Sequence, residues 1–339
     1  MSYQQKYLKY KKKYLDAKNK IGSSNPKIYT VYAKGVGGSD SNDPLFIAAE
    51  KGNLEKVNSI LREDTGVDVN LKDDDGRTPL FVATWEGHTA VVKRLLAHRA
   101  IDVNQANKYG STPLLIAVDM GKTELVSLLL EKADVNKAHT DGTTPLGMAV
   151  LHSPPRWRTE LVSLLVAKGA NVDEANKKGF TPLYNAAQKG LTEVVRLLLE
   201  KADVEKATLS GWTPLHIAVF NGNENTVRLL LEKADVEKAT LSGYTPLHIA
   251  VFKGNENTVR LLVKVGNADV NKAREGDEGS TPLIMAVEWK EEEIVRILVE
   301  EGKADVNKAN KNGTTPLGMA EQNGNTELVR LLVEAGAGS

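Results

Sequence analysis

Nine prolines at near-regular intervals constrain this chain more than any other feature. Thr-Pro-Leu stands at Thr78-Pro79-Leu80, Thr112-Pro113-Leu114, Thr144-Pro145-Leu146 and Thr181-Pro182-Leu183. It returns at Thr213-Pro214-Leu215, Thr245-Pro246-Leu247, Thr281-Pro282-Leu283 and Thr315-Pro316-Leu317. Asp43-Pro44-Leu45 is a weaker first copy. Successive prolines lie 35, 34, 32, 37, 32, 32, 36 and 34 residues apart, and nine of the twelve prolines fill this slot. A period of that size marks a solenoid, in which each unit rests on its neighbours. Residues 201–230 and 233–262 differ at two of thirty positions, which points to a recent duplication.

Each unit reads as helix, turn, helix. Thr is a good N-cap, because its side-chain oxygen accepts from a free N–H of the first turn. Pro suits the first helical position, where the missing N–H has no helical partner to lose. The first helix carries a small face, as in Ile217-Ala218-Val219, which lets neighbouring helices approach closely. Gly52, Gly87, Gly121, Gly190, Gly222, Gly254 and Gly324 then stand where a left-handed C-cap is needed. The second helix is more apolar, as at Val227, Leu230 and Leu231. An extended Ala-Asp-Val segment and a Gly-containing turn lead into the next Thr-Pro-Leu.

No single unit can bury its own apolar face, so stacking is required. The run Thr213-Pro214-Leu215-His216-Ile217-Ala218 resembles the start of an ankyrin repeat, and Ala133-Asp134-Val135-Asn136 resembles its end. The resemblance covers residues 43–337, in nine copies. It implies an all-α repeat solenoid of stacked helix-turn-helix units with projecting β-hairpin turns. It also implies a non-enzymatic, protein-binding scaffold with a concave face, no cofactor and a partner protein of unidentified kind. The array is expected to be monomeric. In such units Asn after Asp-Val can be an asparaginyl hydroxylase substrate, which singles out Asn70, Asn104, Asn136, Asn271 and Asn307. Asn there normally bridges the hairpin, and Glu205 and Glu237 replace it in the duplicated units.

The repeat frame separates scaffold from variable positions. Variable positions are the hairpin tip, the residue before Thr-Pro-Leu and the last two residues before the inter-helix Gly. Eight of the twelve aromatics in residues 43–339 lie at or beside them: Trp85, Tyr109, Phe180, Trp212, Phe220, Tyr244, Phe252 and Trp289. Rigid aromatics dominate interface energetics, so these rings are candidate partner contacts. Phe180, Trp212 and Tyr244 have an alternative role, packing on the adjacent hairpin. Trp157 is a further candidate, as an exposed anchor in an inserted loop at His152-Ser153-Pro154-Pro155-Arg156. Lys290 stands in the inter-helix Gly slot, where a side chain costs about 1 kcal/mol if the cap stays left-handed. Two extra residues are expected in the hairpin near Gly276-Asp277-Glu278.

The flanks differ from the array. Residues 1–21 hold seven Lys and one Asp, so the neutral chain is divided into a leader of +6 and a body of −6. A mildly acidic body is a poor nucleic-acid binder, so nucleic acid or anionic membrane would engage the leader. Tyr3, Tyr7, Tyr10, Tyr14, Ala17 and Ile21 form a heptad stripe, too short for a secure coiled coil. The segment Lys6-Tyr7-Leu8-Lys9-Tyr10 resembles a leader of varied giant DNA virus proteins, which would place the chain in a host cytoplasm, with the nucleus as alternative. Residues 22–42 read as a Gly- and Ser-rich linker, with a short strand possible at 28–32. The first unit's second helix is polar, as an end cap should be, whereas Leu328, Val329, Leu331, Leu332 and Val333 leave the last unit without one.

No constellation for catalysis stands out. Cysteine is absent, which removes disulfides, thiolate metal sites and cysteine nucleophiles. Gly121-Lys122-Thr123 ends like a phosphate loop, but Ile116 replaces the needed Gly. The six histidines show no metal-ligand spacing, and His216 and His248 fill a slot that hydrogen-bonds between repeats. No apolar run reaches the ~20 residues of a membrane helix.

Overall fold

The computed structural model describes residues 43–62, 66–275 and 278–338. The leader stripe, the linker, the segment 28–32 and residues 276–277 of the expected hairpin insertion lie outside the described residues. Among the described residues eighteen α-helices form nine pairs, here called units 1 to 9. First helices are Pro44–Glu50, Pro79–Glu86, Pro113–Asp119, Pro145–Leu151, Pro182–Lys189, Pro214–Asn221, Pro246–Phe252, Pro282–Trp289 and Pro316–Gln322. Second helices are Leu54–Arg62, Thr89–Leu96, Thr123–Leu129, Pro155–Ala167, Thr192–Leu198, Glu224–Leu231, Glu256–Lys264, Glu292–Arg296 and Thr326–Glu334. First helices pack on first helices and second on second along the stack.

The Thr-Pro-Leu motif works as its chemistry requires. Thr78 Oγ1 accepts from Phe81 N at 3.2 Å, and Thr315 Oγ1 accepts from Gly318 N at 3.1 Å. Asp43 does the same in unit 1, accepting from Leu45 N and Phe46 N at 2.8 and 3.0 Å. The alanine four residues after Pro is buried throughout, with Ala83, Ala149, Ala218 and Ala286 each at 0% exposure. A methyl at this point sets the close approach of neighbouring first helices, and the aliphatic core runs on through the stack.

Gly222 ends its helix at φ 68°, a conformation that penalises a Cβ. Lys290 adopts the same left-handed cap at φ 60°, so the turn keeps its shape and the side chain bears the strain.

Three local features depart from the sequence expectation. The projecting hairpins are tight turns, not strands, among the described residues. Each turn closes with a backbone bond such as Thr208 N to Trp212 O at 2.9 Å, and several accept a bond from the next turn, such as Leu241 N to Ser210 O at 3.2 Å. So few bonds per turn do not make a ladder. The insertion of unit 4 is not a loop: Pro155 occupies the first turn of a 13-residue helix, for which its fixed φ is suited. Length is also added beyond the hairpin of unit 8. Gly266-Asn267 and Gly302-Lys303 lengthen the exits of the second helices in units 7 and 8, with Asn267 at φ 51° and Lys303 at φ 57°. In unit 8 the extra length enters as a π-turn over Ile297–Glu301, closed by Gly302 N to Ile297 O at 3.0 Å.

The two ends differ as expected. In the second helix of unit 1 the buried residue is Val57. In the last helix Leu328, Leu331 and Leu332 turn inward, while Val333 is 53% exposed and its unit 5 counterpart Leu199 only 7%.

Candidate functional site

The variable positions converge on the side of the stack formed by the first helices and the turns. In unit 6 Trp212 precedes the N-cap and Phe220 lies in the last turn of the helix. Their rings meet edge to face at 5.7 Å. Lys253 of unit 7 lies over the Phe220 ring, with Nζ 4.5 Å from the centroid. Beside it Phe252 meets Trp289 of unit 8 edge to face at 5.0 Å. All four rings are half-buried, packed on the core at one side. Units 6, 7 and 8 thus share one aromatic strip, bridged by a cation.

The other candidates meet partners of their own. Tyr244 lies under the Arg274 guanidinium at 4.4 Å, and its hydroxyl accepts from Arg274 Nη1, so it ties two turns together. Tyr109 is 37% exposed on a turn, with Lys108 Nζ 5.3 Å from its ring and paired to Asp75. Trp85 stacks on Phe81 of its own helix at 6.5 Å, and Phe180 stacks on Tyr184 at 5.0 Å. Trp157 corrects the expectation of an exposed anchor. It is half-buried against the core and fills the space over Gly121, where a Cβ would meet its Cδ1 at 2.8 Å. Arg156 covers the ring at 5.3 Å. The added helical turn explains the change, because it directs Trp157 back onto unit 3.

Two residues escaped sequence reasoning. Leu209 and Leu241 are 78% and 79% exposed at the turn tips of units 6 and 7. A signal was present: the same tip holds Asp74, Lys108, Thr140, Lys177 and Lys311 in other units. The duplicated units therefore present leucines beside Trp212 and Tyr244 in sequence, at the other end of the first helix from Phe220 and Phe252.

The histidines behave as scaffold. His216 Nδ1 accepts from Thr213 N at 3.1 Å and faces Thr213 Oγ1 at 2.7 Å. Its Nε2 then carries the proton and donates to Tyr244 O of the next unit at 3.3 Å. Burial lowers the pKa of His216 and His248 to about 4, so both rings are neutral. The asparagines named for hydroxylation belong to an inter-unit ladder. Asn70 Oδ1 accepts from Asp102 N, Asn104 Oδ1 from Asp134 N, Asn136 Oδ1 from Asn171 N and Asn271 Oδ1 from Asp305 N, each at 2.8 Å. Asn307 Oδ1 accepts from Gly338 N at 2.9 Å. Glu205 and Glu237 keep the same bond, to Asp235 N at 2.8 Å and Asp269 N at 2.7 Å, and add ion pairs with Lys238 and Lys272. The Gly121-Lys122-Thr123 turn is also structural, with Lys122 Nζ donating to Trp85 O at 2.6 Å.

Among the described residues no cluster of three metal-ligating side chains occurs, and no helix is long and apolar enough to cross a membrane. A family model described as ankyrin repeats in three copies matches residues 45–139, 132–209, 201–274 and 266–338. The chain belongs to the ankyrin repeat family. The ankyrin stack is similar to the crystal structure of the ankyrin repeat domain of Bcl-3, described as a unique member of the IkappaB protein family. That likeness has a TM-score of 0.60 at 28% identity and covers 66% of this chain and 99% of that one. Ankyrin repeat domain-containing protein 49 of Bos taurus is 43% identical over 61 residues, which is 18% of this chain. The chain spans about a quarter (25%) of the length of that curated relative.

Proposed function

We propose that this ankyrin protein is a non-enzymatic scaffold of nine repeats, occupying residues 43–337. Its partner protein docks on the first-helix side of units 6 to 8. The observation that carries this reading is the aromatic strip of Trp212, Phe220, Phe252 and Trp289, which crosses three units and stays partly exposed. Aromatic anchors of this kind dominate binding energy at interfaces. The leucine tips Leu209 and Leu241 extend the same apolar surface. Trp85, Tyr109 and Tyr244 form its outer contacts, while Trp157 serves as packing beneath the face.

The leader's likeness to giant DNA virus proteins supports a viral chain acting on host proteins in the host cytoplasm. Its net charge of +6 supports an added tethering role toward nucleic acid or anionic membrane. Hydroxylation of the ladder asparagines would require each carboxamide to leave its bond. Asn136 and Asn307, both exposed, are the accessible substrates.

Affinity purification with mass spectrometry from a host lysate tests the reading. Wild type is compared with a folded variant carrying Trp85→Ala, Phe220→Ala, Phe252→Ala and Trp289→Ala. The reading expects one protein to be enriched by wild type and lost with the variant. Equal recovery by both would overturn it. Removing residues 1–21 should abolish tethering and leave the partner bound.

A further inference from the structure

Unit 4 breaks the repeat where its first helix ends. Elsewhere in units 1 to 3 the free carbonyls at this point take one residue from the next unit. His88 Nε2 lies 2.9 Å from Glu50 O, Lys122 Nζ donates to Trp85 O at 2.6 Å, and Ser153 Oγ donates to Val118 O at 2.6 Å. At the end of Pro145–Leu151 two cations gather. Lys189 Nζ donates to Leu151 O at 2.5 Å, and Arg158 Nη2 donates to Ser153 O at 2.8 Å. His152 is the C-cap between those two carbonyls and feels both charges.

This is more positive charge than the helix end calls for. A helix C-terminus presents roughly half a negative charge. Asp141 also faces His152, but its Oδ1 is already held by Thr143 N at 2.8 Å and His139 Nδ1 at 3.2 Å. Among the described residues neither Arg158 nor Lys189 forms an ion pair, and Arg158 Nε is buried without a partner. Cations on the second helices of units 7 to 9 show the contrast. Arg260 pairs with Glu293 and Glu301, Arg296 with Glu327, and Arg330 with Glu327 and Glu334. Burial, and then mutual repulsion, lowers the pKa of both Lys189 and His152, so the cluster stands ready to gain from an anion.

The cluster also adjoins the aromatic strip. Asn221, next to Phe220, donates through Nδ2 to Gln188 O at 2.9 Å, and Gln188 is the neighbour of Lys189. We propose that His152, Arg158 and Lys189, with Arg156 at the rim, recognise a carboxylate-rich segment of the partner protein. The inference rests on the reading that this side of the stack binds a protein. Arg supplies bidentate geometry for a carboxylate, and Lys supplies a mobile second charge. The segment would lay apolar side chains on units 6 to 8 and Asp or Glu side chains on units 4 and 5.

The test uses the full chain with labelled histidine and a blocked oligoglutamate peptide at low salt. The His152 ring resonance, assigned with His152→Gln, reports binding locally, and His216 and His248 report that the stack is folded. The leader's lysines also attract the peptide, but they are unchanged in the site variants. A saturable shift of His152 is expected, weakened about tenfold or more in Arg158→Gln/Lys189→Gln and also weakened in Lys189→Gln alone. An oligolysine peptide should leave the resonance in place. No shift, or a shift unchanged in the variants, would overturn the proposal. A shift given only by a matched phosphoserine peptide would overturn it in favour of phosphate recognition. Loss of partner capture with Phe252→Ala/Trp289→Ala would stand apart from all these outcomes, so failure of the acidic site is distinguishable from failure of the docking face.

Discussion

Tyr184 of unit 5 and His216 of unit 6 fill the same slot, three residues after the N-cap threonine. The histidine satisfies its nitrogens, closing a capping box below and reaching the next turn above. The tyrosine packs as well, at 1% exposure, but its hydroxyl is buried without a hydrogen-bond partner. The contrast extends to the surroundings. Units 6 and 7 are near copies, with capped helices, a regular ladder and an apolar face. Units 4 and 5 carry the added helical turn and the cations outside ion pairs. Thr226 Oγ1 of unit 6 and Thr258 Oγ1 and His248 Nε2 of unit 7 are, like the Tyr184 hydroxyl, buried without a partner. A redundant scaffold tolerates such irregularity in one unit because its neighbours still bury the core. In this chain the irregular units hold the cation cluster, and the regular units hold Trp212, Phe220 and Phe252 of the aromatic strip.

The largest expected effect follows from the histidines. Burial holds both imidazoles at about 4, against about 6.5 in an unfolded chain. The unfolded state therefore takes up protons first as pH falls. The stabilisation is complete above about 6.5 and is lost progressively as pH falls toward about 4, on the order of 3 kcal/mol for each ring. Urea unfolding at about pH 7 and about pH 4.5 measures it, and His216→Phe/His248→Phe should flatten the difference. Hydrogen exchange should place the acid loss in units 6 and 7, not in unit 5. Acid loss of equal size in the double variant would break the comparison.

Lys290→Gly comes next. It removes a side chain from φ 60° and should stabilise unit 8 by about 1 kcal/mol, read as a higher urea midpoint. Tyr184→Phe should be neutral or stabilising by up to about 1 kcal/mol, because it deletes a buried hydroxyl that bonds to nothing. A clear loss on that change would mean that the hydroxyl is satisfied and that the contrast with His216 is false. The smallest effect is expected for Glu205→Asn. The shorter side chain restores the ladder residue of other units and gives up a half-exposed ion pair with Lys238, which is worth under about 1 kcal/mol. Raising the salt concentration should shrink that difference further.

Much of this architecture is legible in the residues, because each unit repeats the same local chemistry. Thr213 as N-cap, Pro214 at the first helical position and Gly222 as left-handed cap are each dictated by one side chain or its absence. Lys290 could be read as a strained cap because the frame around it is otherwise intact. The insertion in unit 4 was visible, but its conformation was not. A second proline reads as stiff loop until the helix after it is seen to begin at Pro155. The extra residues at Gly266-Asn267 were hidden because the hairpin that follows varies in length as well. For the candidate site, the slots were legible and their meeting was not. Phe252 stands two residues before its Gly, and Trp289 stands one before Lys290. That offset alone does not show the rings meeting at 5.0 Å. Leu209 and Leu241 carry no aromatic signal, and only the change from polar to apolar at the turn tip marks them.

The most direct test of the docking face is hydrogen exchange on the full chain with its captured partner bound. Protection should appear at residues 208–221, 240–253 and 280–290, with residues 152–158 and 189 joining if the partner segment is acidic. The second helices, such as Glu224–Leu231 and Glu256–Lys264, should exchange as in the free chain. Protection confined to those second helices, or to units 1 to 3, would contradict the account.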